Sequence, residues 1–337
     1  MGGWRFGDPN GRRKWFSHAA PFGGLPGFQL AYETWGTLNA EASNAVLVLH
    51  ALTGDSHVAG GVEPGHPTPG WWASLVGPGK PLDGFFVVAP NVLGGCQGST
   101  GPWQYPAFPD IAIRDQVAAE VHLADFLGIE RWAAVVGGSM GGMRAVEWAV
   151  GQPARVDSLL LLATTAAASA EQIGLASAQV HAIKASPAEG LGIARRIAHI
   201  SYRSEQELQA RFGRDRQDDG RFEVESYLDH HAAKLTRRFD AASYVTLTEA
   251  MNSHDVGRGR GGVKAALRRV QARALVAGVD SDRLYPLAQQ RELAAGIPGA
   301  DDLRVIASPY GHDAFLIESE QVGALVRELV PAHSGSR

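Results

Sequence analysis

The stretch VVGGSMGGMRAVEW, Val135 to Trp148, places one serine among glycines directly after a short apolar run. Its centre reads G-x-S-x-G, with Ser139 between Gly137 and Gly141. If a strand precedes it and a helix follows, the serine lies on a tight turn where larger neighbours would collide. Such a turn exposes the hydroxyl above the carboxyl end of the sheet, so the stretch predicts that Ser139 is a nucleophile.

The rest of the chain supplies the strands and helices that this turn requires. Near-continuous apolar runs predict buried parallel strands, and apolar residues at helical spacing predict helices between them. The predicted strands are Ala45–His50, Phe85–Pro90, Trp132–Val136, Ser158–Leu162, Ala274–Ala277 and Leu303–Ala307, and the predicted helices include Ile113–Leu127, Met140–Val150, Leu287–Ala295 and Gln321–Leu329. Alternation of this kind predicts an α/β fold, and the serine turn makes it the α/β-hydrolase fold with a mostly parallel sheet flanked by helices.

The alternation stops between about Ala163 and Gly262, where helix-forming and charged residues replace the apolar runs. We therefore predict a helical lid over residues 164–262. The α/β-hydrolase core would consist of residues 1–163 and 263–337.

A serine nucleophile needs a base and an acid, which this fold takes from later strands in the order serine, acid, histidine. His312 follows the strand at Leu303 and is the predicted base, with His254 at the edge of the insertion as a weaker rival. Asp280 and Asp282 both follow the strand at Ala274, and the local pattern does not choose between them.

Acyl transfer also needs two N–H donors for the oxyanion of the tetrahedral intermediate. One is the amide of Met140, directly after the nucleophile. The other is expected from the loop after the strand at Ala45, where Leu52 occupies the suitable position.

Bulk properties limit the function classes. The chain has 337 residues, a net charge of −4 and one cysteine, Cys96. The negative charge gives no reason to expect nucleic acid or an anionic membrane as a partner, and the single cysteine excludes an internal disulfide. No apolar run reaches the roughly 18 residues of a membrane span. We therefore expect a cytoplasmic protein, and the chemistry implies no metal and no cofactor.

Six motifs in order resemble the homoserine O-acetyltransferases of methionine biosynthesis, over about residues 30–329. They are LHALTGDSHVAG, NVLGGCQGSTGP, GGSMGGMRAVEWA, LTEAMNSHDVGRGRGG, SDRLYP and YGHDAFL. The resemblance implies an α/β hydrolase with a helical lid, usually a homodimer through that lid. It also implies transfer of an acetyl group from acetyl-CoA, a co-substrate, to the hydroxyl of L-homoserine.

The resemblance also assigns residues. It selects Asp282 as the acid and His312 as the base, and it implies that Asp313 holds the substrate ammonium group. In LGIARRIAHISY it implies that Arg195 binds the substrate carboxylate and that Tyr202 lies near the substrate. The implied mechanism is ping-pong, because Ser139 would first take the acetyl group and then pass it on.

The chain departs from the family pattern at two shortened segments, Pro102–Asp110 and Lys184–Leu191, both expected near the site entrance. Alternatives therefore remain: succinyl-CoA as donor, serine as acceptor, an esterase or thioesterase, or a binding protein without catalysis. Arg258 and Arg260 are candidates for contact with the CoA phosphates.

Overall fold

The architecture was obtained as a computed structural model that describes residues 2–105 and 107–330. Met1, Pro106 and residues 331–337, which fall in the predicted core and in one shortened segment, lie outside the described part. No helix in the described part is long and apolar enough to cross a membrane.

Within the described residues, eight strands form one sheet in the order β1-β2-β4-β3-β5-β6-β7-β8. Strands β3 to β8 are parallel, whereas β2 pairs antiparallel with both β1 and β4. The strands are β1 Lys14–His18, β2 Phe28–Trp35, β3 Ala45–Leu49, β4 Phe86–Pro90, β5 Ala134–Gly138, β6 Ser158–Leu162, β7 Arg273–Val279 and β8 Arg304–Ile306. All six predicted strands are thus present, and the structure adds the antiparallel pair β1 and β2.

Eleven α-helices accompany the sheet in the described residues. They are α1 Ile113–Phe126, α2 Met140–Gly151, α3 Ala170–Ala185, α4 Gly190–Tyr202, α5 Glu205–Phe212, α6 Glu223–Arg238, α7 Ala241–Asn252, α8 Val263–Leu267, α9 Leu287–Gly296, α10 Ala314–Ile317 and α11 Ser319–Leu329, with 3₁₀ turns at Pro153–Arg155 and Gly311–Asp313. The sheet carries one apolar core on each face, because the side chains of its parallel strands alternate between two buried surfaces.

Helices α3 to α7 fill the interval between β6 and α8, where the strands stop. A third apolar cluster joins them to the sheet domain: Leu247 of α7 and Phe239, which follows α6, share it with Met140 and Leu52. We call residues 164–262 the helical insertion. The insertion covers the sheet on the side where Ser139 lies, since residues of both line one cavity.

The shortened segment Lys184–Leu191 is a tight corner in the insertion, since only four residues separate α3 from α4. A Cβ on Gly190 would lie 2.3 Å from the carbonyl oxygen of Ala182, so the two helices approach closely there. The glycine makes this short connection possible.

Candidate active site

Ser139 lies between the end of β5 and the start of α2 in a strained backbone conformation. Its φ is 55° and its ψ is −125°, a combination that a side-chain-bearing residue rarely adopts. A Cβ on Gly141 would be 2.0 Å from the carbonyl oxygen of Leu49, and one on Gly137 would be 2.2 Å from that of Gly141. The glycines of the opening motif therefore permit the turn for the steric reason expected.

The turn is held by hydrogen bonds from the next strand and the loop after it. The amide of Ser139 donates to the carbonyl of Leu162 at 3.0 Å, and the hydroxyl of Thr164 donates to the carbonyl of Ser139 at 2.8 Å. Since both backbone groups of Ser139 are engaged, the turn can keep its strained torsions in a buried setting.

His312 connects Ser139 to Asp282. Its Nε2 is 2.8 Å from Ser139 Oγ and its Nδ1 is 2.7 Å from Asp282 Oδ2. Because an ionised carboxylate only accepts, Nδ1 carries a proton, and Nε2 of the neutral ring is left to accept from the serine hydroxyl. The structure thus brings together three side chains that are 30 and 173 residues apart in the chain.

The two candidate acids have different partners. Asp282 Oδ1 accepts from the amides of Leu284 and Tyr285, both at 2.9 Å, which aims Oδ2 at His312. Asp280 accepts from the amide of Ser308 at 3.0 Å and ties the β7 and β8 loops together. The geometry therefore selects Asp282 and leaves Asp280 as a loop residue.

His254 is not part of this arrangement. Its Nε2 lies 3.2 Å from the carbonyl oxygen of Thr165, and its own carbonyl accepts from the amide of Ala168. Burial is the main cause that lowers the pKa of His254 to about 4. The ring therefore connects the two ends of the helical insertion, residue 165 just after β6 and residue 254 just after α7.

Leu52 and Met140 lie where oxyanion donors are expected. Met140 is the first residue of α2, and Leu52 lines the same small cavity as Ser139, of about 50 Å³. No described residue accepts a hydrogen bond from either amide. Both N–H groups are therefore free to bind a developing negative charge at Ser139, which the amino end of α2 would also favour.

Tyr285 and Arg203 are site residues that the sequence analysis missed. The Tyr285 ring stacks on His312 with centroids 4.7 Å apart and an interplanar angle of 20°. Arg203 forms an ion pair with Asp313 at 3.4 Å and another with Glu207 at 3.0 Å. The i,i+4 spacing of Arg203 and Glu207 could have predicted their ion pair. The contact of Arg203 with Asp313 could not have been predicted in this way, because the two residues are far apart in the chain.

Arg195 and Asp313 line a second cavity, of about 290 Å³, between α4 and α6. Burial raises the pKa of Asp313, while the charges of Arg195, His312 and Arg203 oppose that shift. Arg195 Nε has no hydrogen-bond partner among the described residues. The cavity therefore offers a guanidinium and a carboxylate, which are complementary to an amino-acid headgroup.

Tyr202 stands between the two cavities. It lines the cavity at Ser139, its ring centroid is 5.8 Å from that of His312, and Arg195 Cζ lies 5.6 Å from its ring centroid. Burial raises the pKa of Tyr202, so it remains a neutral phenol. The predicted site residues are thus divided between the cavity at Ser139, which Leu52 and Tyr202 line, and the neighbouring cavity, which Arg195 and Asp313 line.

One group of described residues, Glu33, His57 and His66, has ligand atoms close enough together for a metal ion. Both ring nitrogens of His57 face acceptors, Glu33 Oε2 at 3.1 Å and the Gly61 carbonyl oxygen at 3.2 Å. Burial opposes the charged ring, but the hydrogen bond and charge of Glu33 outweigh it and raise the pKa of His57. A protonated His57 donates rather than ligates, so this cluster is explained as an internal ion pair.

The fold and the Ser139–His312–Asp282 geometry are those of an α/β hydrolase. A family model described as "alpha/beta hydrolase fold" matches residues 44–319. The solved structure of a homoserine O-acetyltransferase from Bacillus anthracis superposes with a TM-score of 0.85, covering 96% of this chain and 99% of that one at 24% identity. Esterase E22 superposes with a TM-score of 0.83, covering 94% and 99% at 22% identity. At these identities the two superpositions establish the fold alone.

Sequence similarity identifies the family more narrowly. The homoserine O-acetyltransferase of Thermobifida fusca is 60% identical to this chain over 366 aligned positions, which cover 98% of this chain and 96% of the relative. The chain belongs to the homoserine O-acetyltransferase family.

Proposed function

We propose that this protein transfers the acetyl group of acetyl-CoA to the hydroxyl of L-homoserine, yielding O-acetyl-L-homoserine and CoA. The single observation that carries the chemistry is the hydrogen-bonded chain from Ser139 through His312 to Asp282. We propose that the product serves methionine biosynthesis, as the sequence resemblance implies.

The first half-reaction acylates Ser139. His312 takes the hydroxyl proton while Ser139 Oγ attacks the thioester carbonyl, and Asp282 stabilises the imidazolium that forms. The amides of Leu52 and Met140 hold the oxyanion. Collapse of the tetrahedral intermediate breaks the carbon–sulfur bond, and His312 returns the proton to the departing thiolate of CoA.

The second half-reaction reverses these roles. Arg195 would bind the carboxylate of homoserine, and Asp313 would bind its ammonium group through Oδ1, since Oδ2 faces Arg203. His312 then takes the proton of the homoserine hydroxyl as that oxygen attacks the carbonyl of the acyl-enzyme. Collapse of this second tetrahedral intermediate breaks the bond between the acyl carbon and Ser139 Oγ, and His312 returns the proton to Ser139. Tyr202 would separate the amino-acid headgroup from the acylated serine.

The cavity beside Ser139 favours acetyl over succinyl as the acyl group. Its volume is about 50 Å³ and its lining contains no lysine, arginine or histidine. A succinyl carboxylate there would be buried without a counter-charge, which costs several kcal/mol. The helical insertion over residues 164–262 would act as the lid that keeps water from the acyl-enzyme. No metal or cofactor takes part in the proposed reaction.

We further propose a homodimer formed through the insertion and located in the cytoplasm. Ile173, Ile193 and Ile200 are exposed large apolar residues on α3 and α4. A second copy that covered these side chains would remove their apolar area from water. Sedimentation would give twice 35.8 kDa, and Ile193→Asp would shift the equilibrium toward monomer.

The deciding experiment measures CoA release from acetyl-CoA and from succinyl-CoA, each with homoserine, serine or no acceptor. Release that requires acetyl-CoA and homoserine supports the proposal. Release that does not depend on the acceptor would identify a thioesterase instead. Ser139→Ala should abolish both release and the mass increase of an acetyl-enzyme, while thermal unfolding shows that the variant is folded.

A further inference from the structure

The cavity between α4 and α6 carries more positive charge than an amino-acid substrate needs. Its lining contains five arginine or lysine residues and one acidic residue, Asp313. The cationic residues are Arg195, Arg203, Arg211, Lys234 and Arg238. Glu207, behind the wall, pairs with Arg203 and Arg211 and leaves the balance positive. An amino acid is neutral overall, so this excess in a chain of net charge −4 calls for an anionic ligand.

The charged wall follows from helix periodicity. Arg195, His199 and Arg203 are spaced by four residues along one side of α4 and its end. Tyr227, His231 and Lys234 are spaced by four and three along α6, which packs against α4. Two facing rows of this kind form a trough. Its polar side chains are directed at a common space rather than at separate patches of solvent.

Two buried side-chain nitrogens in this trough, Arg195 Nε and His199 Nδ1, have no hydrogen-bond partner among the described residues. His199 is 4% exposed. Burial, with a further contribution from Arg195, lowers the pKa of His199 to about 2 and that of His231 to about 4. Both rings are therefore neutral and each can donate one N–H. Unpaired buried polar groups are costly, which points to a ligand that satisfies them.

The rim of the trough is more accessible than its floor, where Arg195 and Asp313 are half-buried. Lys234 and Arg211 are exposed, and Lys234 has no ion-pair partner in the described part of the chain. The Arg211 guanidinium lies 4.8 Å from the Tyr227 ring centroid and 4.9 Å from that of Phe212, so its position is restrained. His199 is buried, and Asp313 is half-buried and follows His312 directly in the chain. A ligand could thus leave a charged group at the rim while the rest of it reaches the reacting serine.

The other candidates for this role are already engaged. Arg260 makes an ion pair with Glu147 at 2.5 Å, and the Arg258 guanidinium donates to the carbonyl of Ser253. These two arginines were the sequence candidates for contact with the CoA phosphates. Neither of them lines the cavity that contains Arg195 and Asp313, whereas Lys234 and Arg211 do, even though Arg211 also pairs with Glu207 at 3.5 Å.

We propose that Lys234, Arg211 and His231 bind the phosphate groups of the acyl donor, at the rim of the trough between α4 and α6. The proposal rests on the proposed function, because it assumes a phosphorylated nucleotide thioester as donor. Arg195 and Asp313 on the floor would bind the amino acid only after the donor arm has left. Homoserine at high concentration should therefore compete with acetyl-CoA, as a ping-pong enzyme with one shared trough requires.

The test compares Lys234→Ala and Arg211→Ala with the control Arg237→Ala, which removes an exposed charge from α6 outside the trough. The measured quantity is kcat/KM for acetyl-CoA, which in a ping-pong reaction reports only the first half-reaction. A lost charge-assisted contact should lower it about tenfold. The kcat/KM for homoserine of both variants should stay within about twofold of the wild-type value. Both kcat/KM values of Arg237→Ala should stay within the same range.

Truncated donors locate the contact. Acetyl-pantetheine lacks the phosphates, so the two variants should use it as well as the wild type does. Acetyl-dephospho-CoA lacks only the 3′-phosphate and keeps the diphosphate. A variant that has lost the contact to the 3′-phosphate should therefore use acetyl-dephospho-CoA and acetyl-CoA with equal kcat/KM. Equal losses with acetyl-CoA and acetyl-pantetheine, or no loss with either, would overturn the proposal.

Direct binding separates this inference from the proposed function. Calorimetry with CoA and the Ser139→Ala protein requires no turnover. CoA binding that Lys234→Ala weakens about tenfold supports the phosphate site even if acetyl transfer to homoserine were absent. Binding that Lys234→Ala leaves unchanged rejects the phosphate site even if acetyl transfer were established.

Discussion

At the scale of single residues, the direction of its carboxylate determines which aspartate can pair with His312; position in the chain does not. Asp280 and Asp282 are two residues apart in the same loop, yet only Asp282 reaches His312. Two backbone amides hold one oxygen of Asp282, so the other oxygen is oriented before any substrate arrives. Preorganised support of this kind stabilises the imidazolium of the transition state.

This difference predicts opposite results for two conservative substitutions. Asp282→Asn should lower kcat by about 10³- to 10⁴-fold, because an amide cannot hold the charged His312. Asp280→Asn keeps an oxygen for the amide of Ser308 and should leave kcat within about threefold. Steady-state CoA release measures both. Equal effects of the two substitutions would reject the assignment of Asp282.

At the scale of elements, the turn between β5 and α2 depends on glycines that no other residue can replace. Gly141→Ala would place a Cβ 2.0 Å from a main-chain oxygen of β3. We expect a loss of several kcal/mol in the free energy of unfolding, or no folded protein at all.

Gly174, inside α3, has no atom within 4 Å of an added Cβ. Gly174→Ala should therefore stabilise the protein by about 0.5–1 kcal/mol. Urea unfolding of both variants measures the contrast, and a stable Gly141→Ala protein would contradict the steric explanation.

The loop that carries Leu52 is anchored to β2 by the buried pair of Glu33 and His57. The hydroxyl of Ser56 also donates to Glu33, at 2.8 Å. The neighbouring His66 ring stacks on His57 with centroids 3.8 Å apart, and burial is the main cause that lowers its pKa to about 3. Glu33 and His57 therefore pair beside a neutral His66 ring, and both ring nitrogens of His57 face oxygen acceptors.

This anchor predicts a pH dependence of stability. Because the pKa of His57 is raised in the folded state, its contribution is complete below the unfolded pKa of about 6.5 and is lost as the pH rises through the folded value. The difference in free energy of unfolding between wild type and His57→Gln should thus be largest near pH 6 and shrink toward pH 9. Urea titrations across that range measure it. A difference that grows with pH would show that the ring is neutral.

At the scale of the whole molecule, the insertion and the sheet domain share one apolar cluster. Leu247 of α7 is fully buried in it together with Met140 of α2, the first residue after the serine. The insertion is therefore packed on the site as part of the folded core, and we expect it to unfold together with the sheet.

The positions of the tryptophans allow a test of whether the insertion unfolds together with the sheet. All eight lie in the sheet domain, and none lies between residues 164 and 262. Leu247→Ala should cost about 2–5 kcal/mol and shift the tryptophan fluorescence and the helical circular dichroism transitions equally. Val62→Ala, at an exposed loop position, should shift neither transition. Separate midpoints for the two signals would show that the insertion unfolds independently.

The sequence by itself determined the parallel strands, most of the helices around the sheet and the turn at Ser139. Each of these is a local property: apolar runs, helical spacing and glycines next to a serine. The strands β1 and β2 were not predicted, because β2 mixes apolar side chains with Gln29 and the buried Glu33 and pairs antiparallel at the sheet edge. The roles of Ser139, His312, Asp282, Arg195, Asp313 and Tyr202 stay predictions until the variants are measured.

Only the tertiary structure decided which side chains meet. The resemblance already implied Asp282, but the local sequence left Asp280 open, and only the direction of the Asp282 carboxylate explains why it reaches His312. The contact of Arg203 with Asp313 joins residues 110 positions apart. The trough of Arg211 and Lys234 exists because α4 and α6 pack side by side. Such contacts have no local sequence signal, since they arise from how elements pack and not from the conformations of neighbouring residues.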